Sequence, residues 1–302
     1  MCFWLSLIAL LCWSGSDLFS KIGCRDPRDK FSPLKMVIAV GVVMGLHAAY
    51  EIFVGGTEIN LSILLTYLPV SLLYISSMTL GYVGLRYIEL SISSPICNSS
   101  GALVAVMTLI FSGISGYSPL ALVAVALVCA GAIGLGVVDA CEDEDLRAAR
   151  QETSNYKYAK SAMALAMPVA YCLLDAAGTF ADNRVLETLN EDSANVAYEL
   201  TFLLAAVVCF VYVVLIKRTP LIPKLEAPKY IGAVCETAGQ FAYIYAIADT
   251  AHLAMSAPII SSYCAASVLW SRIFLKEKLS WKHYLMILLI IIGIAIMGFF
   301  DM

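Results

Sequence analysis

The chain alternates between long apolar stretches and short polar ones along its whole length. A helix that crosses a membrane needs about 20 apolar residues. Ten such stretches follow one another, at residues 2–22, 33–53, 62–84, 92–112, 118–139, 159–181, 196–216, 228–248, 252–273 and 282–300. The pattern predicts an all-α integral membrane protein with ten transmembrane helices.

Two of these stretches resemble each other in sequence. Residues 93–111 (SSPICNSSGALVAVMTLIF) align without a gap with residues 256–274 (SAPIISSYCAASVLWSRIF), which places Pro95 on Pro258 at an offset of 163. Each half of the chain would hold five spans, and because five is an odd number the two halves would face opposite ways in the bilayer. Inverted repeats of this kind are typical of transporters. We therefore predict two inverted five-helix repeats.

A polar segment separates the two predicted repeats. Its mixed charges and its lack of apolar periodicity are typical of a solvated linker. The chain is thereby divided into a first repeat over residues 1–140, a cytoplasmic linker over 141–158 and a second repeat over 159–302.

The basic residues orient the predicted bundle. Of the 19 Lys and Arg residues, 18 fall on one side of it, and Arg184 is the exception. Loops rich in Lys and Arg are cytoplasmic in membrane proteins. We therefore expect a multi-pass protein of the cell (cytoplasmic) membrane with both termini outside.

Composition narrows the class of protein. Hydrophobic residues make up 61% of the chain, against about 45–50% in a soluble domain. No basic tract could follow a nucleic-acid backbone, so we expect no nucleic-acid partner. The ten cysteines include no CxxC pair and read as small buried residues, not as a disulfide or metal framework. No Walker loop, nucleophile elbow or HExxH motif is present, so we expect neither an enzyme nor a bound cofactor or metal.

The last fifty or so residues carry a family resemblance. His252–Phe300 (HLAMSAPIISSYCAASVLWSRIFLKEKLSWKHYLMILLIIIGIAIMGFF) has a proline opening the ninth helix, a KEKLS turn and a glycine-bearing tenth helix. This stretch resembles the second repeat of the EamA-type transporters of the drug/metabolite transporter superfamily. The resemblance implies a ten-helix carrier whose central cavity is lined by helices other than the fifth and the tenth. It implies no substrate, because this superfamily carries amino acids, drugs, nucleotide sugars and organic cations.

A carboxylate in the middle of the eighth span is the first candidate for binding. An ionisable group inside a membrane costs at least about 2.5–3.5 kcal/mol and therefore needs a reason to be there. Gln240 and Tyr243 follow Glu236 at i+4 and i+7, which places all three on one helical face. This face is either a cavity wall that binds a cation or a proton, or a contact that holds a neighbouring helix.

Two further acids form a pair related by the predicted repeat. Asp17 aligns with Asp175 at an offset of 158, and the predicted topology puts Asp17 toward the cytoplasm and Asp175 toward the exterior. The two acids would then act at opposite gates. For Asp17 an ion pair with Lys21, four residues on, is the alternative.

Polar and aromatic residues repeat at helical spacing on the third and ninth spans. The residues are Tyr67, Ser71 and Tyr74, and Tyr263, Ser267 and Trp270. Beside a carboxylate, the aromatic faces of Tyr74, Tyr263 and Trp270 would attract an ammonium group. Packing between helices, or a belt at the membrane interface, is the other interpretation.

We place Pro95 and Pro258 at helix starts, where a missing N–H costs nothing. The polar groups that follow each proline, Asn98 among them, would bind substrate or bridge helices.

These features favour a secondary active transporter of a small polar metabolite, an organic cation or amine, which works by alternating access with proton coupling or exchange. An exporter of neutral amino acids or similar zwitterions is the alternative within transport. A non-transporting scaffold or receptor on a carrier fold is the alternative from another class. The expected partners are a small-molecule substrate and the lipid bilayer, and the protein would be a monomer or a homodimer.

Overall fold

The computed structural model describes residues 2–26, 28–113, 118–141, 162–249 and 251–300. Within these ranges the regular secondary structure is helical, and no strand occurs. The α-helices are α1 (Cys2–Cys24), α2 (Ser32–Tyr50), α3 (Leu61–Tyr87), α4 (Leu90–Asn98), α5 (Ser100–Ser112), α6 (Pro119–Ala140), α7 (Ala162–Val185), α8 (Glu191–Phe210), α9 (Pro223–Ala248), α10 (Leu253–Ser261), α11 (Tyr263–Trp270) and α12 (Trp281–Phe300). Short π-helical segments extend α2, α8 and α11, over Glu51–Gly55, Val211–Ile216 and Ser271–Leu275.

Seven helices in the described part of the chain are long and apolar enough to cross a membrane. They are Cys2–Cys24, Ser32–Gly55, Leu61–Tyr87, Leu90–Phe111, Pro119–Val138, Glu191–Ile216 and Leu253–Leu275. The protein is therefore a multi-pass membrane protein. The count of ten spans and the inverted repeat stay predictions.

The fourth and ninth predicted spans each carry a proline and each consist of two consecutive helices. These are α4 with α5 and α10 with α11. Pro95 and Pro258 are the sixth residues of α4 and α10, so the prediction that they open helices was wrong. The reason is that each helix already begins five residues earlier. A proline at that depth removes one helical hydrogen bond, and both helices end three residues after it. Both spans are therefore interrupted part-way along.

Helices from the two halves of the chain pack against each other. The first helix, α1, packs along α9, and its predicted counterpart α7 packs along α3. Likewise α2 packs on α8, and α6 packs on α12. The helices α5 and α10, which belong to the two interrupted spans, also contact each other. Residues from both halves thereby surround one central space.

The predicted linker, residues 141–158, lies outside the described residues except for Cys141. Its role as a cytoplasmic connection stays a prediction, and so does the placement of both termini outside the cell.

Candidate functional site

A cavity lies in the central space between the two halves. It contains about 900 Å³ of empty volume, counting the part that is open to solvent. Of the described residues that line it, none belongs to α6 or α12. Eight of the nine predicted binding residues line it, namely Glu236, Gln240, Tyr243, Asp17, Asp175, Tyr74, Asn98 and Tyr263. Their role in binding stays a prediction.

Serine hydroxyls donate hydrogen bonds to the carboxylates that line the cavity. Asp17 Oδ2 accepts hydrogen bonds from Ser94 Oγ at 2.6 Å and from Ser267 Oγ at 2.8 Å. Asp175 Oδ2 accepts one from Ser100 Oγ at 2.7 Å. Ser94 and Ser100 lie on either side of the break between α4 and α5. Serine is a neutral donor, so these contacts hold the carboxylates in place without neutralising a charge.

Glu236 is the third carboxylate and interacts electrostatically with both Asp17 and Asp175. Its side chain also accepts a hydrogen bond from Ser16. Like charges repel one another strongly where water is scarce, and a bound cation or bound protons would relieve this repulsion. No Lys, Arg or His occurs among the described residues that line the cavity. The site is therefore suited to positive charge.

The Lys21 ammonium, the predicted alternative partner of Asp17, donates hydrogen bonds to the carbonyl oxygens of Leu85 and Ile88, both at 2.9 Å. Leu85 lies in the last turn of α3, and Ile88 follows that helix. Lys21 thereby connects the end of α1 to the end of α3.

An aromatic cluster lies beside the carboxylates. The ring of Trp13 is 5.0 Å from that of Tyr243 and 5.8 Å from that of Tyr263, measured between centroids. Trp13 Nε1 also donates to the backbone oxygen of Glu236 at 3.3 Å. Aromatic faces attract an ammonium group by about 2 kcal/mol when water is excluded. Trp13 is thus a candidate binding residue beyond those predicted from the sequence.

Trp270 is the one predicted binding residue that the structure does not bring to the cavity. Its indole Nε1 donates to Ser14 Oγ at 3.0 Å, which turns the side chain toward α1. Tyr263, Ser267 and Trp270, which repeat at helical spacing, therefore make three different contacts. Tyr263 lines the cavity, Ser267 holds Asp17, and Trp270 joins two helices.

Three polar atoms of the lining have no hydrogen-bond partner within the described residues. They are the hydroxyls of Tyr82 and Ser20 and the amide nitrogen of Gln240. An unsatisfied buried polar group costs about 1–3 kcal/mol. A ligand that carries an acceptor atom would recover this free energy.

Asp182 is a buried acid that the sequence analysis missed. It accepts hydrogen bonds from Tyr67 at Oδ1 (2.8 Å) and from Tyr74 at Oδ2 (3.3 Å). The predicted sixth span ends at residue 181, which made Asp182 look like a loop residue, whereas α7 continues to Val185. Asp182 follows Asp175 by seven residues and so lies on the same helical face. This spacing could have identified it from the sequence.

In the described ranges, no group of three or more His, Cys, Asp or Glu side chains could hold a metal ion.

Comparison with known proteins finds a matching family and a solved structure of similar fold. The EamA-like transporter family matches residues 164–299. A solved crystal structure of a protein aligns over 99% of this chain and 96% of its own, with a TM-score of 0.63 and 14% sequence identity. At that identity the likeness shows the fold alone, but it extends over both halves. No curated protein matches the chain.

Proposed function

We propose that the protein is a membrane transporter of the drug/metabolite type and that it carries a small organic cation or amine. The match of residues 164–299 to the EamA-like transporter family supports the first part of this proposal. The observation that supports this substrate class most directly is the charge of the cavity. Asp17, Asp175 and Glu236 share it, and no cationic side chain of the described residues lines it.

The packing of the two halves supports transport by alternating access. If the halves are inverted repeats, a rocking motion of one against the other would expose the central cavity first to one side and then to the other. The pairing of α1 with α9 and of α7 with α3 is what a two-fold relation between the halves predicts. The breaks at Ser99 and Ser262 interrupt two spans at the cavity, where a transporter needs irregular backbone.

Exchange of substrate against protons follows from competition for the same oxygens. Glu236 lies within electrostatic reach of both other carboxylates, so the cluster favours a bound positive charge in either form. A cation that binds would displace protons, and a cation that leaves would be replaced by them. The proton gradient then supplies the energy for transport.

The lining suggests the shape of the substrate. The carboxylates and the face of Trp13 suit an ammonium group, and the unpaired donors of Tyr82, Ser20 and Gln240 suit acceptor atoms of the same substrate. A small amine that carries a hydroxyl or carbonyl group meets both requirements.

A neutral zwitterion is the second candidate, and the same three unpaired donors favour it. They would donate hydrogen bonds to its carboxylate, although no cationic side chain of the described lining would neutralise that charge. A scaffold or receptor on this fold would bind a ligand without moving it across the membrane.

A thermal-shift assay on the detergent-purified full chain tests the substrate class. The probes are a panel of primary to quaternary amines, with choline, glycine betaine and 3,3-dimethylbutyrate as a cation, a zwitterion and an anion of similar shape. A ligand that binds the folded state at 100 times its Kd stabilises it by about 2.7 kcal/mol. We expect organic cations to raise the Tm of the native chain and to have no effect on Glu236→Gln.

Glu187→Gln is the matched control, because Glu187 is an exposed acid paired with Arg184 at 2.9 Å and does not line the cavity. It should respond to cations as the native chain does. Stabilisation by betaine or dimethylbutyrate alone, or by cations equally in Glu236→Gln, would contradict the proposal.

A further inference from the structure

Asp182 lies behind the cavity wall and not in it. Its side chain is fully buried, at 0% exposure, and it does not line the cavity. Both carboxylate oxygens accept from tyrosines of α3, Tyr67 on one and Tyr74 on the other. A buried carboxylate of this kind is retained at a cost, and the substrate site described above does not use it.

A chain of hydroxyl groups connects this acid to the cavity. Tyr74 lies in hydrogen-bond contact with the hydroxyl of Tyr243 and at 3.3 Å from that of Thr179. The Tyr243 hydroxyl donates to Thr179 Oγ1 at 3.2 Å. Tyr74, Tyr243 and Thr179 all line the cavity. The cavity and Asp182 are therefore linked without a gap by groups that can both accept and donate a proton.

The groups that face Asp182 are phenols. Tyr67 and Tyr74 approach it from α3, Tyr198 from α8 and Tyr243 from α9, and each interacts with it electrostatically. The two hydrogen bonds from α3 are the interactions that favour its charged form. Among the described groups that interact with it, no cation compensates its charge.

We infer that Asp182 is a second proton-binding site, separate from the substrate carboxylates and supplied through the hydroxyls of Tyr243 and Tyr74. The geometry alone supports the binding of a proton at Asp182. The use of this proton in a step of transport rests on the proposed function.

The proton transfer to Asp182 leaves each hydroxyl group along the way with the same number of protons. A proton from the cavity binds the Tyr243 oxygen, and Tyr243 passes its own proton to the Tyr74 oxygen. Tyr74 then gives its original proton to Asp182 Oδ2. Each phenol gains one proton and loses one, so Asp182 alone changes its protonation state and becomes a neutral acid.

Protonation also changes how α7 is held. An ionised carboxylate accepts hydrogen bonds that are about twice as strong as those between neutral groups. Neutral Asp182 donates from Oδ2, so Tyr74 must direct its proton to Tyr243 or Thr179 instead. The connection between α3 and α7 weakens, at the end of α7 that the predicted topology places outside.

Infrared difference spectroscopy tests this site on the full chain in lipid nanodiscs, titrated with pH and with no substrate added. A protonated buried carboxyl group gives a C=O stretching band that an ionised one lacks. We expect Asp182→Asn to lose one component of this band, and the exposed-acid control Glu187→Gln to keep all of them. Asp175→Asn, in the cavity, should lose a different component.

Tyr67→Phe gives an independent readout, because it leaves Asp182 in place and removes its 2.8 Å donor. The Asp182 component should shift in frequency in this variant, and it provides the test if Asp182→Asn does not fold. A band that is the same in Asp182→Asn as in the native chain, or unshifted in Tyr67→Phe, would overturn the assignment. A failure of organic cations to bind would leave the band in place, so the two proposals fail separately.

Discussion

Two serines hold the Asp17 carboxylate, one on each of two interrupted spans of the bundle. Ser94 comes from α4 and Ser267 from α11, and both donate to the same oxygen, Oδ2. Because the serines belong to different halves of the chain, a relative movement of the halves would change how this acid is solvated. The acid and its donors therefore act as one unit.

Removal of one donor should weaken cation binding. We expect Ser94→Ala to lower the affinity for organic cations about 10- to 100-fold, because a hydrogen bond to a charged group contributes about 1.5–3 kcal/mol. Ser99→Ala is the matched control, since its hydroxyl donates to the Pro95 carbonyl at 3.0 Å and not to an acid. Isothermal titration with the best-binding amine gives both affinities, and equal losses in the two variants would contradict the role of Ser94.

The sequence singled out the acids of the cavity more readily than their partners. Glu236, Asp17 and Asp175 stand out because a carboxylate in an apolar span is costly. Ser94 and Ser267 carry no such signal, because serine is common in membrane helices and its partner is set by tertiary packing. Asp182 was missed because the apolar stretch before it ends one residue too early.

At the scale of the helices, the two interrupted spans cross closely. A Cβ atom on Gly101 would lie 2.5 Å from Ser261 Cβ and 2.7 Å from the carbonyl oxygen of Ala257. Both distances are shorter than contact distances between real atoms, so only glycine allows α5 to approach α10 this closely.

An added methyl group at this crossing should therefore destabilise the fold. We expect Gly101→Ala to cost about 1–3 kcal/mol, the usual range for overpacking, and to lower the Tm in detergent. Gly136→Ala is the comparison, because a Cβ there would meet Ile96 Cγ1 at 3.4 Å, an ordinary contact. The same Tm for both variants would show that α5 can move away from α10 at no cost.

A cluster of buried ion pairs joins two helix starts on the predicted cytoplasmic side. Lys35 Nζ lies 2.8 Å from Asp29 Oδ2 and 3.3 Å from Glu226 Oε1, and Lys229 Nζ lies 2.8 Å from Glu226 Oε2. Both lysines are almost fully buried. The cluster connects the start of α2 to the start of α9.

Loss of the central lysine should be costly, because Asp29 loses its lysine partner and the buried Glu226 keeps only Lys229. We expect Lys35→Met to destabilise the protein by about 3–5 kcal/mol, read as a lower Tm. Lys224→Met, at an exposed position on α9, should stay within about 0.5 kcal/mol of the native chain. A small effect at Lys35 would mean that water or another side chain compensates the acids.

Helix positions were predictable because the apolar length alone determines them, and the structure places a helix in every predicted span. The breaks after Asn98 and Ser261 were not, because a proline inside an apolar stretch is compatible with a helix start as well as with a helix interior. The π-helical segments at the ends of α2, α8 and α11 have no signal in the apolar pattern either.

On the scale of the whole molecule, the distribution of basic residues predicts the orientation in the membrane. Cys141 is exposed at the start of the predicted cytoplasmic linker. We expect a membrane-impermeant maleimide to label it in inside-out vesicles and not in intact cells, with Cys141→Ser as the control for specificity. Labelling of Cys141 in intact cells would reverse the predicted topology.

Exchange of an organic cation against protons is the central claim, and flux into proteoliposomes tests it most directly. The vesicles hold the full chain, an acidic interior and a pH-sensitive dye, and the best-binding amine is added outside in radiolabelled form. We predict that the amine accumulates while the interior becomes more alkaline, and that Glu236→Gln abolishes both. Accumulation without a change of internal pH, or equal accumulation by Glu236→Gln, would contradict the account.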